Sequence, residues 1–161
     1  METKLITPLE LFRLPVRYEI PEFQRRYIWD KDRQWEPLWE DITDIAENIL
    51  ESATYKEKHF LGAVVLQPKP STGEIARGIV IDGQQRLTTL QLLMDAVQEV
   101  ITSNKHVKES QRLRRLIENE EEDIGDDPNC RFKIWPTVFD RDAFRHAMHD
   151  ELDAINPTVI R

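Results

Sequence analysis

Apolar residues recur along this chain with two different periods, and the switches between them mark out its elements. Thr7-Pro8 ahead of Leu9, Leu11 and Phe12 reads as an N-cap with proline at the first helical position, which predicts a short helix ending before Pro15. Val16, Tyr18 and Ile20 then alternate with Arg17 and Glu19, the pattern of a half-buried strand, and Pro21 stops it. Trp35, Leu38, Trp39, Ile42, Ile45, Ala46 and Ile49 return at helical spacing, predicting an amphipathic helix over 33–51 with Pro37 in its first turn. An aromatic stripe at that spacing reads as core packing. His59 to Leu66 is a near-continuous, β-branched-rich apolar run, the signature of a central strand, with Gly62 marking close backbone approach. Pro68, Pro70, Ser71 and Gly73 place a turn in Gln67 to Arg77, so Gly78 to Ile81 should return as an antiparallel neighbour.

The sharpest change of period falls within Ile79-Val-Ile-Asp-Gly-Gln-Gln-Arg-Leu-Thr-Thr-Leu-Gln-Leu-Leu93, where a strand pattern meets Asp-Gly and turns straight into a helical one. Leu87, Leu90, Leu93, Met94 and Val97 give that helix an apolar face for the sheet and carry it to about Thr102. A helix N-terminus offers unpaired N–H groups and the positive end of its dipole, so this junction is suited to an anion such as phosphate. Gly83 permits unusual dihedrals and close approach, and Arg86, Thr88 and Thr89 place a cation and two hydroxyls within two turns. Pattern alone equally allows a tight turn with an aspartate cap.

The second half is less periodic. Lys105 to Arg115 is mixed and basic, and Glu118 to Asp127 is an acidic block that reads as a solvated loop or helix end, its spacing failing the EF-hand pattern. Phe132, Ile134 and Trp135 precede Pro136, after which Asp140-Arg-Asp-Ala-Phe144 starts another short helix with its acids at the favourable end. The close at Pro157 to Arg161 lacks a cap and suggests a chain cut at a domain edge.

Composition narrows the function. A net charge of −8 over 161 residues argues against holding bare duplex DNA by bulk electrostatics, though a local basic site remains open. The single cysteine, Cys130, excludes an internal disulfide and a cysteine-rich zinc site, no apolar run reaches membrane-spanning length, and Met1-Glu-Thr-Lys lacks a signal-peptide pattern; a cytoplasmic protein is expected. Walker A, Gly-x-Gly-x-x-Gly, Gly-x-Ser-x-Gly and His-Glu-x-x-His motifs are all missing from the sequence, as is any metal-spaced histidine cluster. A lone His59 at a strand start reads as a hydrogen-bonded structural residue before it reads as an acid or ligand. In Pro21 to Trp29, Gln24, Arg25 and Arg26 are interleaved with Phe23, Tyr27 and Trp29, either a solvated loop whose aromatics close the core or part of a site.

Four blocks occur in order: Ile20-Pro-Glu-Phe-Gln-Arg-Arg-Tyr-Ile-Trp29, His59-Phe-Leu-Gly62, Ile81-Asp-Gly-Gln-Gln-Arg-Leu-Thr-Thr-Leu90 and Trp135-Pro-Thr-Val-Phe-Asp-Arg-Asp-Ala-Phe144. Together they resemble the N-terminal domain of GmrSD-type, modification-dependent (type IV) restriction enzymes. The resemblance implies an α+β fold of the ParB/sulfiredoxin-like kind: a small mixed sheet flanked by helices, with the start of a helical C-terminal region. It divides the chain into a nucleotide-binding domain over 1–104 and a helical extension over 105–161. It further implies an NTP-binding and NTP-hydrolysing, magnesium-dependent module of an antiviral restriction system, with modified DNA met through the full-length protein or complex. On that likeness Gly83, Gln84, Gln85, Thr88 and Thr89 bind the nucleotide with His59, while Asp82, Arg86, Gln24 and Arg25 carry the catalytic roles, Asp82 orienting the loop or holding Mg2+ through water. An HNH-type nuclease motif does not occur, so cutting is expected from another domain or subunit. Two rivals stand beside this reading, a non-catalytic reader of modified DNA using Arg25, Arg26 and Arg86, and a ParB-like nicking domain, which the lack of a two-metal carboxylate cluster disfavours.

Overall fold

The computed structural model describes residues 4–52, 54–55, 59–71 and 75–148. Gly73 of the predicted turn and the tail from Pro157 lie outside them. The chain forms two compact units, Met1–Arg26 with Val64–Arg161, and Tyr27–Ala63.

The larger unit is built on a mixed four-stranded sheet in the order β2 (Val65–Lys69), β3 (Ala76–Asp82), β1 (Val16–Glu19), β4 (Ile134–Trp135), with helices packed on it. Thr7 caps α1 (Pro8–Phe12), its hydroxyl accepting from Glu10 N while the Glu10 carboxylate accepts from Thr7 N at 2.7 Å, a complete capping box. The strand β1 (Val16–Glu19) is central. It runs parallel to β3 (Ala76–Asp82) with Tyr18 opposite Gly78, and parallel to β4 (Ile134–Trp135) with Tyr18 opposite Ile134. Position 78 must stay small, because a Cβ there would lie 3.2 Å from the Tyr18 ring.

The predicted antiparallel neighbours pair, but not as the apolar run suggested. The strand β2 is Val65–Lys69 rather than a central strand from His59, and it forms the edge of the sheet. Pro68 sits in it opposite Gly78, which an edge strand tolerates because proline's missing N–H costs no ladder bond on the open side. The apolarity of residues 59–64 therefore reports no strand buried on both faces.

Beyond β3 the helix α3 (Gln84–Ser103) buries Leu87 and Leu90 and is followed by α4 (Val107–Ile117), while α5 (Arg141–Met148) closes the described chain. Gln91, wholly buried, joins three elements: its amide donates to Ile117 O at 3.1 Å and accepts from Ile134 N at 2.7 Å. Phe132 stacks on Trp135 with centroids 5.9 Å apart and meets Phe144 edge-on at 5.6 Å, giving the core its aromatic centre.

Three expectations change here. Strand β1 is not half-buried, since Val16, Arg17 and Tyr18 are all enclosed. Arg17 is held by Asp127 at 2.9 Å, by the Cys130 sulfur at 3.3 Å and over the Trp135 ring at 4.6 Å. Second, the acidic block is not merely solvated: Asn119 is buried, and its side chain accepts from Val16 N at 3.2 Å and donates to Val16 O and Cys130 O. Burial raises the Asp127 pKa, but bonds from Asn129 and Arg17 outweigh that and hold it below the usual carboxylate value.

The third concerns the smaller unit. Asp30 caps a π-helical turn (Lys31–Trp35) that leads into α2 (Glu36–Glu51), and Trp35 Nε1 donates to Tyr27 OH at 2.7 Å. The helix is where its periodicity put it, yet none of its residues is buried, and Trp39 remains 51% exposed. A unit this short has too little chain to enclose a core of its own.

Removing the Asn119 amide would strand both polar groups of a Val16 peptide in a dry interior, so Asn119→Ala should cost about 2–4 kcal/mol in denaturant unfolding. Lys133 is only 2% exposed, and burial lowers its pKa from 10.5 to about 8 although Asp123 and Glu120 pull it upward. Between those values the unfolded chain binds the extra proton, so this group's penalty is full below about pH 8 and is relieved as pH rises toward 10.5. The stability of the wild type minus that of Lys133→Met should therefore grow over this window in parallel urea titrations.

Candidate functional site

Strand β3 ends at Asp82, and Gly83 makes the reversal into α3 with φ 92 and ψ 11, a left-handed conformation that disfavours any side chain. Leu87 N donates to Gly83 O at 3.0 Å, so the helix begins at once. Its N-cap is Gly83, which has no side chain to cap it, so the helix's positive end faces the turn. Asp82 is exposed at the strand end, its backbone paired with β2 at Val65, and its carboxylate has no hydrogen-bond or ionic partner among the described residues. Arg86 lies half-buried in the first helical turn.

The two glutamines do something that the sequence did not announce. Both are buried, and their amides reach across to the loop that follows β1. Gln84 Nε2 donates to Gln24 Oε1 at 3.2 Å, Gln24 Nε2 donates to Ile81 O at 2.9 Å, and Gln85 Nε2 donates to Arg26 O at 3.0 Å. The Phe23–Arg26 loop is thus tied to the Asp82–Arg86 turn by side-chain amides, across 57 to 60 residues of sequence. Both polar groups of the Gln24 amide are engaged in this tie. Arg25 is exposed with no hydrogen bond or ion pair among the described residues.

Thr88 and Thr89 are buried within α3, and the Thr89 hydroxyl donates to Gln85 O at 2.9 Å. His59 belongs to the smaller unit, where its Nε2 lies 3.2 Å from an Asp41 carboxylate oxygen. The structure therefore gathers Gln24, Asp82, Gly83, Gln84, Gln85 and Arg86 at one turn, with Arg25 on the loop tied to it.

Residues beyond the sequence-designated set extend this region. Glu22 accepts from Val138 N at 2.9 Å and pairs with Arg141, while Arg26 donates to Phe139 O at 3.2 Å and lies 3.6 Å from Asp140. Elsewhere a cleft of about 300 Å3 is lined by Arg114, Glu118, Asn119, Glu120, Asn129 and Arg145. Its arginines are satisfied internally, Arg114 by Glu118 at 3.2 Å and Arg145 by the Asn129 oxygen at 3.0 and 3.3 Å, and it contains no designated residue. Among the described residues no three His, Cys, Asp or Glu side chains cluster to hold a metal, and no helix is long and apolar enough to cross a membrane.

A four-stranded mixed sheet flanked by helices makes this an α+β module. The chain belongs to the family described as the GmrSD restriction endonuclease, N-terminal domain, whose profile matches residues 9–159, nearly the whole length. It is a restriction-system module. No curated protein matches it.

Because Gln84 and Gln85 hold the neighbouring loop, Gln84→Ala and Gln85→Ala should each speed tryptic cleavage after Arg25 or Arg26 by about threefold to tenfold at native pH, as expected when a local tie worth about 1 kcal/mol is lost. Cleavage rates equal to wild type in both variants would refute the tie.

Proposed function

We propose that the Asp82–Arg86 turn binds the phosphates of a nucleoside triphosphate and promotes its hydrolysis within the restriction system. The observation that carries this reading is the start of α3 directly after a left-handed Gly83 at its N-cap, with a second loop tied beside it. Helix-end amides stabilise phosphate oxygens without reorganising, and a glycine lets the ligand approach the backbone. Arg86 adds a permanent positive charge in the first turn. Arg25 is an exposed cation on the tied loop, without a partner among the described residues and suited to offset charge that develops on the transferring phosphoryl group. Gln24, with both amide groups engaged, acts as a positioning residue that sets where Arg25 stands.

The residues also fit a magnesium ion. A hard cation needs only one or two carboxylates when phosphates complete its shell, and Asp82 offers an exposed carboxylate, without a partner among the described residues, at the strand end beside the turn. Mg2+ held there would neutralise phosphate charge. The chain's own contribution remains binding and orientation by the turn and charge compensation by Arg86 and Arg25.

Calorimetry with a panel of NTPs, with and without Mg2+, tests this alongside a phosphate-release assay. We expect saturable binding, weakened about tenfold to hundredfold in Arg86→Ala, with phosphate release lost in Arg25→Ala at near-normal affinity. Absence of both binding and phosphate release across the panel would overturn the proposal.

A further inference from the structure

The loop over Pro21–Arg26 divides its residues between two duties. Glu22, Gln24 and Arg26 all serve as anchors, whereas Arg25, between the last two, is exposed and makes no hydrogen bond or ion pair among the described residues. Gln24 N bonds back to Pro21 O at 3.0 Å, so the loop turns tightly and its anchors fall within one short span. Two of them have partners beyond the Asp82–Arg86 turn. Glu22 accepts from Val138 N at 2.9 Å and pairs with Arg141, while the Arg26 guanidinium donates to Phe139 O at 3.2 Å and lies 3.6 Å from Asp140. Arg26 works in both directions, because its own carbonyl accepts from Gln85 of the turn.

The segment that receives these contacts, Pro136–Arg141 between β4 and α5, is itself braced. The buried Thr137 donates its hydroxyl to Asp140 at 3.1 Å, Asp140 N bonds back to Thr137 O, and Asp140 O accepts from Phe144 N in α5. Arg141 Nε donates to Pro136 O at 3.2 Å, and its guanidinium lies over the buried Trp135 ring. A charged pair at a surface is worth little when both long side chains must be ordered to form it. Here one partner of each pair is already fixed, so the contact orders the loop alone.

The consequence falls on Arg25, whose two neighbours in the chain are both held. A cation that offsets charge only in a transition state has to stand in one place, and small displacements caused by changes far from the chemistry reduce rates steeply. We propose that the Pro136–Arg141 segment sets the stance of Arg25, with Glu22 and Arg26 as positioning residues for the hydrolysis inferred above, an assignment that rests on that reading of the Asp82–Arg86 turn. Both act on turnover through Arg25. Nucleotide affinity stays with the turn.

Steady-state phosphate release by Glu22→Ala and Arg26→Met tests this. Both side chains are 54% exposed, so the variants should fold, which circular dichroism checks, and Met at position 26 keeps the carbonyl that accepts from Gln85. We expect kcat to fall about threefold to thirtyfold in each while KM stays within about twofold, and Glu22→Gln, which keeps an acceptor for Val138 N, to recover part of the loss. A second readout needs no turnover. Tryptic cleavage after Arg25 in Arg141→Met, where the cleaved sequence is unchanged, should be about threefold to tenfold faster than in wild type, with the acceleration confined to this loop. If wild type releases phosphate but kcat is unchanged in both variants, or the loss falls on KM instead, the positioning role is overturned and the reading of the turn stands. Unaltered cleavage in Arg141→Met likewise removes the segment's hold on the loop. A wild type that releases no phosphate overturns the reading of the turn and the positioning role together.

Discussion

Strand β1 has only four residues, yet the sheet depends on satisfying its backbone inside the protein. Its peptide groups pair with β3 on one side and β4 on the other, two segments that arrive about 60 and 115 residues later. Where the ladder runs out at Val16, the Asn119 amide takes the place of a strand, bonding both the N–H and the carbonyl. Buried backbone groups left unpaired are costly, so the acidic segment that carries Asn119 has to lie against the strand. Gln91 performs the same service for β4, which is too short to be held by pairing alone.

A second consequence is a charged layer beside the central strands. Register places Arg17 beside Arg77 and Arg77 beside Lys69, a row of like charges that would repel without acids among them. Glu19 answers all three, at 3.7, 3.2 and 2.6 Å, and Asp127 takes the second nitrogen group of Arg17. Where the pair is buried, as at Arg17, it tends to specify an arrangement more than it stabilises it, since desolvation offsets much of the attraction.

The site follows the same logic of amides in place of strands. Gln24, Gln84 and Gln85 connect a loop and a turn that have no ladder between them, and Glu22 with Arg26 connect that loop onward to the segment after β4. Three parts of the chain thus meet around the start of α3. For a module of a restriction system this couples the Asp82–Arg86 turn to the segment after β4 through side chains rather than through the sheet.

Local chemistry was legible in the residues themselves. The Thr7 cap, the position of β1, the Pro37 helix start and the abrupt passage from Ile81 through Gly83 into α3 are decided by neighbours within a few positions, and each lies where the pattern put it. Long-range facts were not. Whether Arg17 is solvated or enclosed depends on Asp127 and Cys130, more than 100 positions away, and whether residues 59–66 form a central strand depends on which partner lies beyond β2. Periodicity shows that α2 has an apolar stripe, but only the fold decides whether anything covers it. The glutamines of Asp-Gly-Gln-Gln-Arg were visible as a motif, while their use as ties to Gln24 and Arg26 required those loops to meet, because an amide's partner is chosen by distance in space and not along the chain.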